Sequence, residues 1–431
     1  MPPGKKLFFH LCVFLAFVAA LSSCSRKTSA PPGTIVITAW IANNPYEIEW
    51  AREVVSQWNK KNPSVIVKAQ PIPEGRSSEE ILMASVLAGT APDICASLSP
   101  TLVEQFRSAK SLVCIDDQPQ LHSCIVERVP EESLRQFISP DGHLYQVPWK
   151  CNPIMMFCNN AIFDRAGVRP PRTYSEWMKA AEAICTSQKG VYMTFFDTSI
   201  TWYKRFFDFY TLYIAATGGK TLLDENRVPS INNREALQVM NFLRENFARR
   251  YSPVEITPGD PFLNGRVAVN ISGPWNVAAL AAEKPELRYT VLPPPVPDES
   301  VRGKNVHCYA DPKSMAIFST AAHPEECARF LAFALSREND AMLMKKCMQL
   351  VYRKDLAADP AFQQVYEAHP VLKVFSEAVP YTSSLDSSPR LMELFDILSM
   401  EYVDVAVRRI RSCELGLEKA ERLMKELCNE H

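Results

Sequence analysis

Ile35-Val36-Ile37-Thr38-Ala39-Trp40-Ile41 decides the fold class. A run this apolar is what a strand buried on both faces requires. The residues after it fix the connection. Trp50, Val54 and Trp58 recur at i, i+4 and i+8, one face of a helix, and Asn62-Pro63 stops that helix. Val65, Val67 and Ala69 then alternate as in a second strand. Strand, helix and strand make a β-α-β unit, which predicts a parallel sheet with a right-handed crossover.

The alternation continues outward. Ser77 and Glu80 form a capping box for a helix ending at Gly89, and Pro92-Asp93-Ile94 leads into another short strand. Thr173 and Glu176 cap a helix that carries Trp177. Asn232 or Asn233 opens a helix with Ala236, Met240, Leu243 and Phe247 on one face. Pro324 suits the first turn of a helix that buries Cys327, Phe330, Leu331, Ala334 and Leu335. Ser388-Pro389 begins a largely helical end. Leu292-Pro293-Pro294-Pro295-Val296-Pro297 has too few N–H donors for a sheet, so it reads as a connector between strand-like segments 267–271 and 314–318. The class is α/β.

At the amino end, Lys5-Lys6 precede an apolar run over 7–20 and the small residues Ser22-Ser23. This is the pattern of a secretory leader, too short and wrongly flanked for a spanning helix. Leu21-Ser22-Ser23-Cys24 resembles the lipobox of bacterial lipoproteins, which implies removal of 1–23 and lipid on Cys24. Residues 24–34 then form the lipidated cysteine and a flexible, Pro/Gly-rich spacer. The expectation is an exported chain, periplasmic or on the outer face of the cytoplasmic membrane, held to the bilayer through Cys24.

The 431 residues suit two domains or one bilobal one, and 47% apolar content allows substantial cores. The 47 basic and 48 acidic residues give a net charge of −1, with no basic block to recruit nucleic acid. Of the 13 cysteines, Cys12 leaves with the leader and Cys24 carries lipid. The rest are scattered through apolar segments, without C-x-x-C pairs, and read as small buried hydrophobes rather than a disulfide framework.

Catalytic patterns are missing. There is no H-E-x-x-H and no G-x-S-x-G, and the histidines at 10, 122, 143, 307, 323, 369 and 431 show no metal-ligand spacing. Gly218-Gly219-Lys220-Thr221 looks like the end of a phosphate-binding loop, but Ile214 stands where the first glycine is needed. No metal or cofactor is expected. The tryptophans divide by position. Trp50, Trp58 and Trp177 have core spacing. Trp40, Trp149, Trp202 and Trp275 lie at strand ends or beside Gly/Pro turns, where open α/β sheets bind ligands. Flat rings there suit a pyranose, whose C–H faces they remove from water.

Ordered motifs carry a family resemblance. They are Ile37-Thr38-Ala39-Trp40, Ala88-Gly89-Thr90-Ala91-Pro92-Asp93-Ile94, Tyr145-Gln146-Val147-Pro148-Trp149 and Phe163-Asp164 with Ala166-Gly167-Val168. They continue with Ala216-Thr217-Gly218-Gly219, Asn264-Gly265-Arg266-Val267-Ala268-Val269 and Gly273-Pro274-Trp275. Over 35–431 the chain resembles the extracellular solute-binding proteins of ABC importers, in the group that includes maltodextrin receptors. The resemblance implies two α/β lobes joined by hinge segments, with ligand trapped between them. Lobe 1 would comprise 35–150 plus 308–352, and lobe 2 would comprise 151–307 plus 353–431, with crossings near 150, 300 and 352. It implies a binding protein rather than an enzyme, a carbohydrate ligand, a membrane permease as partner, and a monomer.

The resemblance also implies site residues. Trp275 matches a sugar-stacking ring. Trp40, Asn43 and Asn44 match the first strand-to-helix loop. Asp93 matches the Pro-Asp turn, with capping of the adjoining loop as its other reading. Trp149 and Asn152 match the first hinge crossing, Trp202 and Asp208 the segment before the paired glycines, and Arg390 a segment that closes the cleft. An amide at 152 and the aromatic stretch 195–210 depart from other sugar receptors. A non-sugar solute such as a phosphorylated polyol is the alternative, with Lys150 and Arg390 as the cations available to it. A surface adhesin or lipoprotein enzyme is a third reading.

Overall fold

The computed structural model describes residues 33–74, 78–256, 258–300 and 305–429. The leader, Cys24, the spacer to residue 32 and Ser77 lie outside the described residues. Among the described residues no helix is long and apolar enough to cross a membrane.

The opening unit forms as its pattern requires. β1 (Ile35–Ile41) and β2 (Val65–Pro71) pair in parallel from Ile35↔Val65 to Ile41↔Pro71. The helix Pro45–Lys61 between them buries Trp50, Val54 and Trp58. Each such apolar side chain contributes about 2 kcal/mol. β1 is not covered on both faces, however. Ile37, Ala39 and Ile41 are buried while Val36 and Thr38 stay exposed, so a continuous apolar run here accompanies a half-covered strand.

β3 (Ile94–Leu98) joins the other edge of β1 in parallel. The sheet is mixed beyond that point. β8 (Cys308–Ile317) lies antiparallel to β3, and β4 (Val147–Pro153) antiparallel to β8, giving the order β2-β1-β3-β8-β4. Side-chain periodicity carries no information on strand direction, so the parallel expectation failed where strands arrive from the second lobe. That lobe holds a second sheet in which β5 (Met155–Asn159) sits between β6 (Val269–Ser272) and β7 (Tyr289–Leu292), all antiparallel.

Three chain crossings join the lobes. β4 passes through Ile154, whose N–H donates to Tyr309 O, directly into β5. β8 returns. The third crossing is β9 (Thr382–Ser383), parallel to Cys308 and Tyr309 at the start of β8. It lies further along the chain than the crossing expected near 352. Leu356, Phe362, Tyr366, Leu372 and Phe375 bury into the first core, whereas Leu391, Phe395, Leu398 and Leu417 build the second. Residues 353–381 thus pack with the cluster that holds the first sheet, and the helix Pro370–Ala378 sets Phe375 5.8 Å from Phe157 of β5 at the junction.

Helix ends follow their caps. Thr173 accepts from Glu176 N, and Asn233 rather than Asn232 accepts from Ala236 N. The eleven cysteines after Cys24 are all free, seven of them buried, as small hydrophobes would be.

Candidate functional site

The strand registers place the cleft. Leu98 of β3 faces Ser314, and Pro153 of β4 faces Ala310, so the carboxyl ends of β1 to β3 point to the crossings. Ser272, the last residue of β6, faces Met155, the first of β5. The end of β6 therefore looks toward the same crossings from the other lobe. Ligands of open α/β sheets sit beyond such ends.

Trp275 stands there. It follows β6 after Gly273-Pro274, opens the helix Trp275–Glu283, and is partly exposed with its edge against Phe207 at 6.4 Å between centroids. Its ring folds back over Gly273, where an added Cβ would lie 2.1 Å from the indole. The glycine is thus required by the ring, which explains the Gly-Pro-Trp sequence physically. Trp202 is also partly exposed, edge-on to Tyr203 and Phe206. Trp40 sits near the end of β1, half-covered. Asn43 is exposed in the loop after β1. Asn44 caps the helix Pro45–Lys61 through Oδ1, accepting from Tyr46 N and Glu47 N. Arg390 pairs with Glu393 at 3.6 Å. Beside it, Gln105 Nε2 of lobe 1 donates to Pro389 O at 3.2 Å, a bond between the lobes.

Four expected contact residues are placed otherwise. Asp93 lies at the amino end of β3, away from the cleft, and accepts from Thr38 N and Thr38 Oγ1, both at 2.7 Å. It ties β1 to β3. Trp149 is wholly buried, packed on Trp50 at 5.1 Å and under Lys150, so its ring offers no face to a ligand. Asn152 is buried and bonded to Gln349 Oε1 and Leu350 N. Asp208 is buried, caps the helix Phe209–Thr217 and pairs with Arg205 at 3.0 Å. Burial pushes its carboxyl up to about 6, with Arg205 pulling the other way. The paired glycines stop that helix. Gly218 is left-handed, and a Cβ on Gly219 would stand 2.6 Å from His307 Nδ1.

Sequence reasoning missed a polar pair on β8 close to the crossings. Asp311 and Lys313 pair at 3.1 Å on β8, both partly exposed, with Tyr309 OH 3.5 Å from Asp311. Their i, i+2 spacing on a strand that alternates around them was the available signal. Beneath lies a buried chain of polar groups. Lys150 Nζ reaches Glu47 Oε1 at 2.8 Å, Gln349 Nε2 reaches the same oxygen at 2.7 Å, and Asn152 completes it.

Asp386 anchors the 384–390 loop by accepting from Leu222 N at 3.0 Å. Burial raises its carboxyl to about 6, against bonds from Thr221, Leu222 and Leu223. The folded state thus keeps this proton where the unfolded state has lost it. Its stabilising contribution is full below about pH 4 and is lost as pH rises through about 6. Relative to Asp386→Asn, wild type should lose stability over that window, as followed by urea unfolding at stepped pH. A parallel pH dependence of the two proteins would show that Asp386 titrates normally.

Residues 53–370 match the family model described as bacterial extracellular solute-binding protein. The chain belongs to this family. A maltotriose-binding protein of Pyrococcus abyssi is 22% identical over 85% of this chain and 76% of its own length. A galactooligosaccharide-binding protein of Bacillus subtilis is 22% identical over 86% of each. Among solved structures, the cyclic alpha-maltosyl-1,6-maltose binding protein of Arthrobacter globiformis superposes with a TM-score of 0.77 at 18% identity, covering 93% of this chain and 100% of its own. That likeness fixes the two-lobed fold. As a solute-binding protein the chain is exported, and its family binds rather than transforms its solutes.

Proposed function

We propose that this solute-binding protein captures a carbohydrate between its lobes and delivers it to the membrane permease of an ABC transporter. The carrying observation is the Trp275 ring, held over Gly273 just past the end of β6 and left partly exposed there. An aromatic plane removes the C–H face of a sugar from water, while neighbouring polar groups satisfy its hydroxyls. The names of the Pyrococcus and Bacillus relatives support an oligosaccharide.

Charge argues for a neutral ligand. An anionic solute needs unpaired cations or clustered N–H groups. Lys150 is paired with Glu47, Lys313 with Asp311 and Arg390 with Glu393. The cations that a phosphorylated polyol would use already have carboxylates. No bond-making role is assigned to any residue. The mechanism is hinge closure about β4, β8 and β9, with Gln105 and Pro389 meeting when the lobes come together. Trp40, Asn43, Trp202 and Trp275 are the contact residues of this reading. Asn44 contributes through its free amide, and Arg390 through its place beside the Pro389 contact. Lipid on Cys24 and the following spacer would keep a monomeric receptor near its permease, because a bilayer anchor raises the local concentration.

A thermal-shift screen across mono- and oligosaccharides tests this. A ligand at a hundred times its Kd should stabilise the fold by about 2.7 kcal/mol. A shift with a phosphorylated polyol and none with any sugar would replace the carbohydrate reading.

A further inference from the structure

Three donor side chains, Cys114, Asp116 and His143, meet on the surface of lobe 1, with His122 beside them. Cys114 leads directly into the turn Ile115–Asp117. Ile115 N donates to Leu144 O, which lays this turn against the loop carrying His143. Asp116 Oδ2 stands 2.8 Å from His143 Nδ1, and Asp116 Oδ1 stands 3.8 Å from His122 Nε2 in the first turn of the helix Pro119–Arg128. Donor atoms of Cys114, Asp116 and His143 all lie within 4.8 Å of one another.

We propose that Cys114, Asp116, His122 and His143 form a binding site for a divalent transition metal, with zinc as the ion of best fit. The donor set is one sulfur, two imidazole nitrogens and one carboxylate oxygen, a mixture that suits a borderline ion and not calcium or magnesium. Bonds of about 2.0–2.3 Å in a tetrahedron place ligand atoms roughly 3.3–3.7 Å apart, so Cys114, Asp116 and His143 are within small adjustments of a shell, and His122, which lies outside that group, must swing in to complete it. Charge balances as well. A thiolate and a carboxylate neutralise a dication, while both imidazoles bind as neutral rings. The thiol proton, and any imidazolium proton, leaves to solvent on binding.

The site is separate from the solute cleft. Val113 N donates to Ile317 O, and Leu112 bridges Phe318, so the cluster lies at the far end of β8 from the crossings. A bound ion would staple the 139–144 loop to the turn at 115 without competing for the cleft. The histidine positions showed no ligand spacing because the four donors come from a turn, a helix start and a separate loop.

Chelator-stripped protein titrated with Co²⁺ should show one equivalent bound, with tetrahedral visible absorption and a thiolate charge-transfer band, both displaced by Zn²⁺. Calorimetry with Zn²⁺ should weaken as pH falls from about 8 to about 6. Cys114→Ser should erase the charge-transfer band and weaken Zn²⁺ at least about tenfold. His143→Gln, at an exposed position, should weaken Zn²⁺ similarly while its apo melting curve matches wild type. The proposal is overturned if no thiolate band forms. It is equally overturned if both variants bind Zn²⁺ like wild type, leaving the cluster a set of surface hydrogen bonds.

Discussion

Trp275→Ala should nearly abolish the stabilisation that a bound oligosaccharide gives, while the apo protein melts close to wild type. The ring is only partly buried, so its removal should cost the apo fold about 1.5 kcal/mol, roughly half of what a fully buried tryptophan costs. Its loss to binding is larger. Stacking adds about 1 kcal/mol beyond area burial, and covering one pyranose face adds a further 1–2 kcal/mol at about 25 cal/mol per Å². The sum corresponds to roughly a hundredfold in Kd. At a ligand concentration of a hundred wild-type Kd, the stabilisation should drop from about 2.7 to about 0.4 kcal/mol. Calorimetric titration and melting curves check both halves. Gly273→Ala reaches the same ring by another route, because its methyl displaces the indole without removing it. A Trp275→Ala protein that binds sugar with wild-type affinity would remove this ring from the site.

How much of this site the sequence disclosed depended on periodicity. The helix Pro45–Lys61 announced itself through Trp50, Val54 and Trp58, and Thr173 marked a helix start by its own capping chemistry. Trp149 misled for a physical reason. β4 is buried at all seven positions, so a lysine and an asparagine there gave no sign of being covered from both lobes. Asp93 misled differently. Its motif locates a strand's beginning, whereas ligands gather at strand ends. The third crossing is a strand of two residues, too short for any alternation to show. Trp275 was legible because Gly-Pro-Trp after a strand is a local constraint. The Asp311–Lys313 pair was not, since it depends on which strands lie beside β8.

Lys150→Met should destabilise the protein more than any cleft substitution. Lys150 and Glu47 are both almost fully buried, and their contact at 2.8 Å is shared with Gln349. Removing one member of a buried pair leaves the other charge uncompensated, at about 3–5 kcal/mol. Here the remaining carboxylate would keep only the Gln349 bond and the favourable amino end of the helix Pro45–Lys61, so the cost should fall near 3 kcal/mol. Glu47→Gln combined with Lys150→Met removes both charges and should recover part of that loss, which urea unfolding of the two single variants and the double variant would measure. The consequence for function follows from position. Glu47 stands at the start of the first helix, Lys150 on the first crossing, and Gln349 beside Leu350, whose N–H bonds Asn152 on the same crossing. One polar chain therefore sets the angle at which β4 leaves lobe 1. The double variant should fold and still bind sugar, but with weaker affinity than its intact Trp275 predicts, because a less fixed crossing makes closure more costly. Wild-type stability in Lys150→Met alone would mean that water, rather than Lys150, satisfies Glu47.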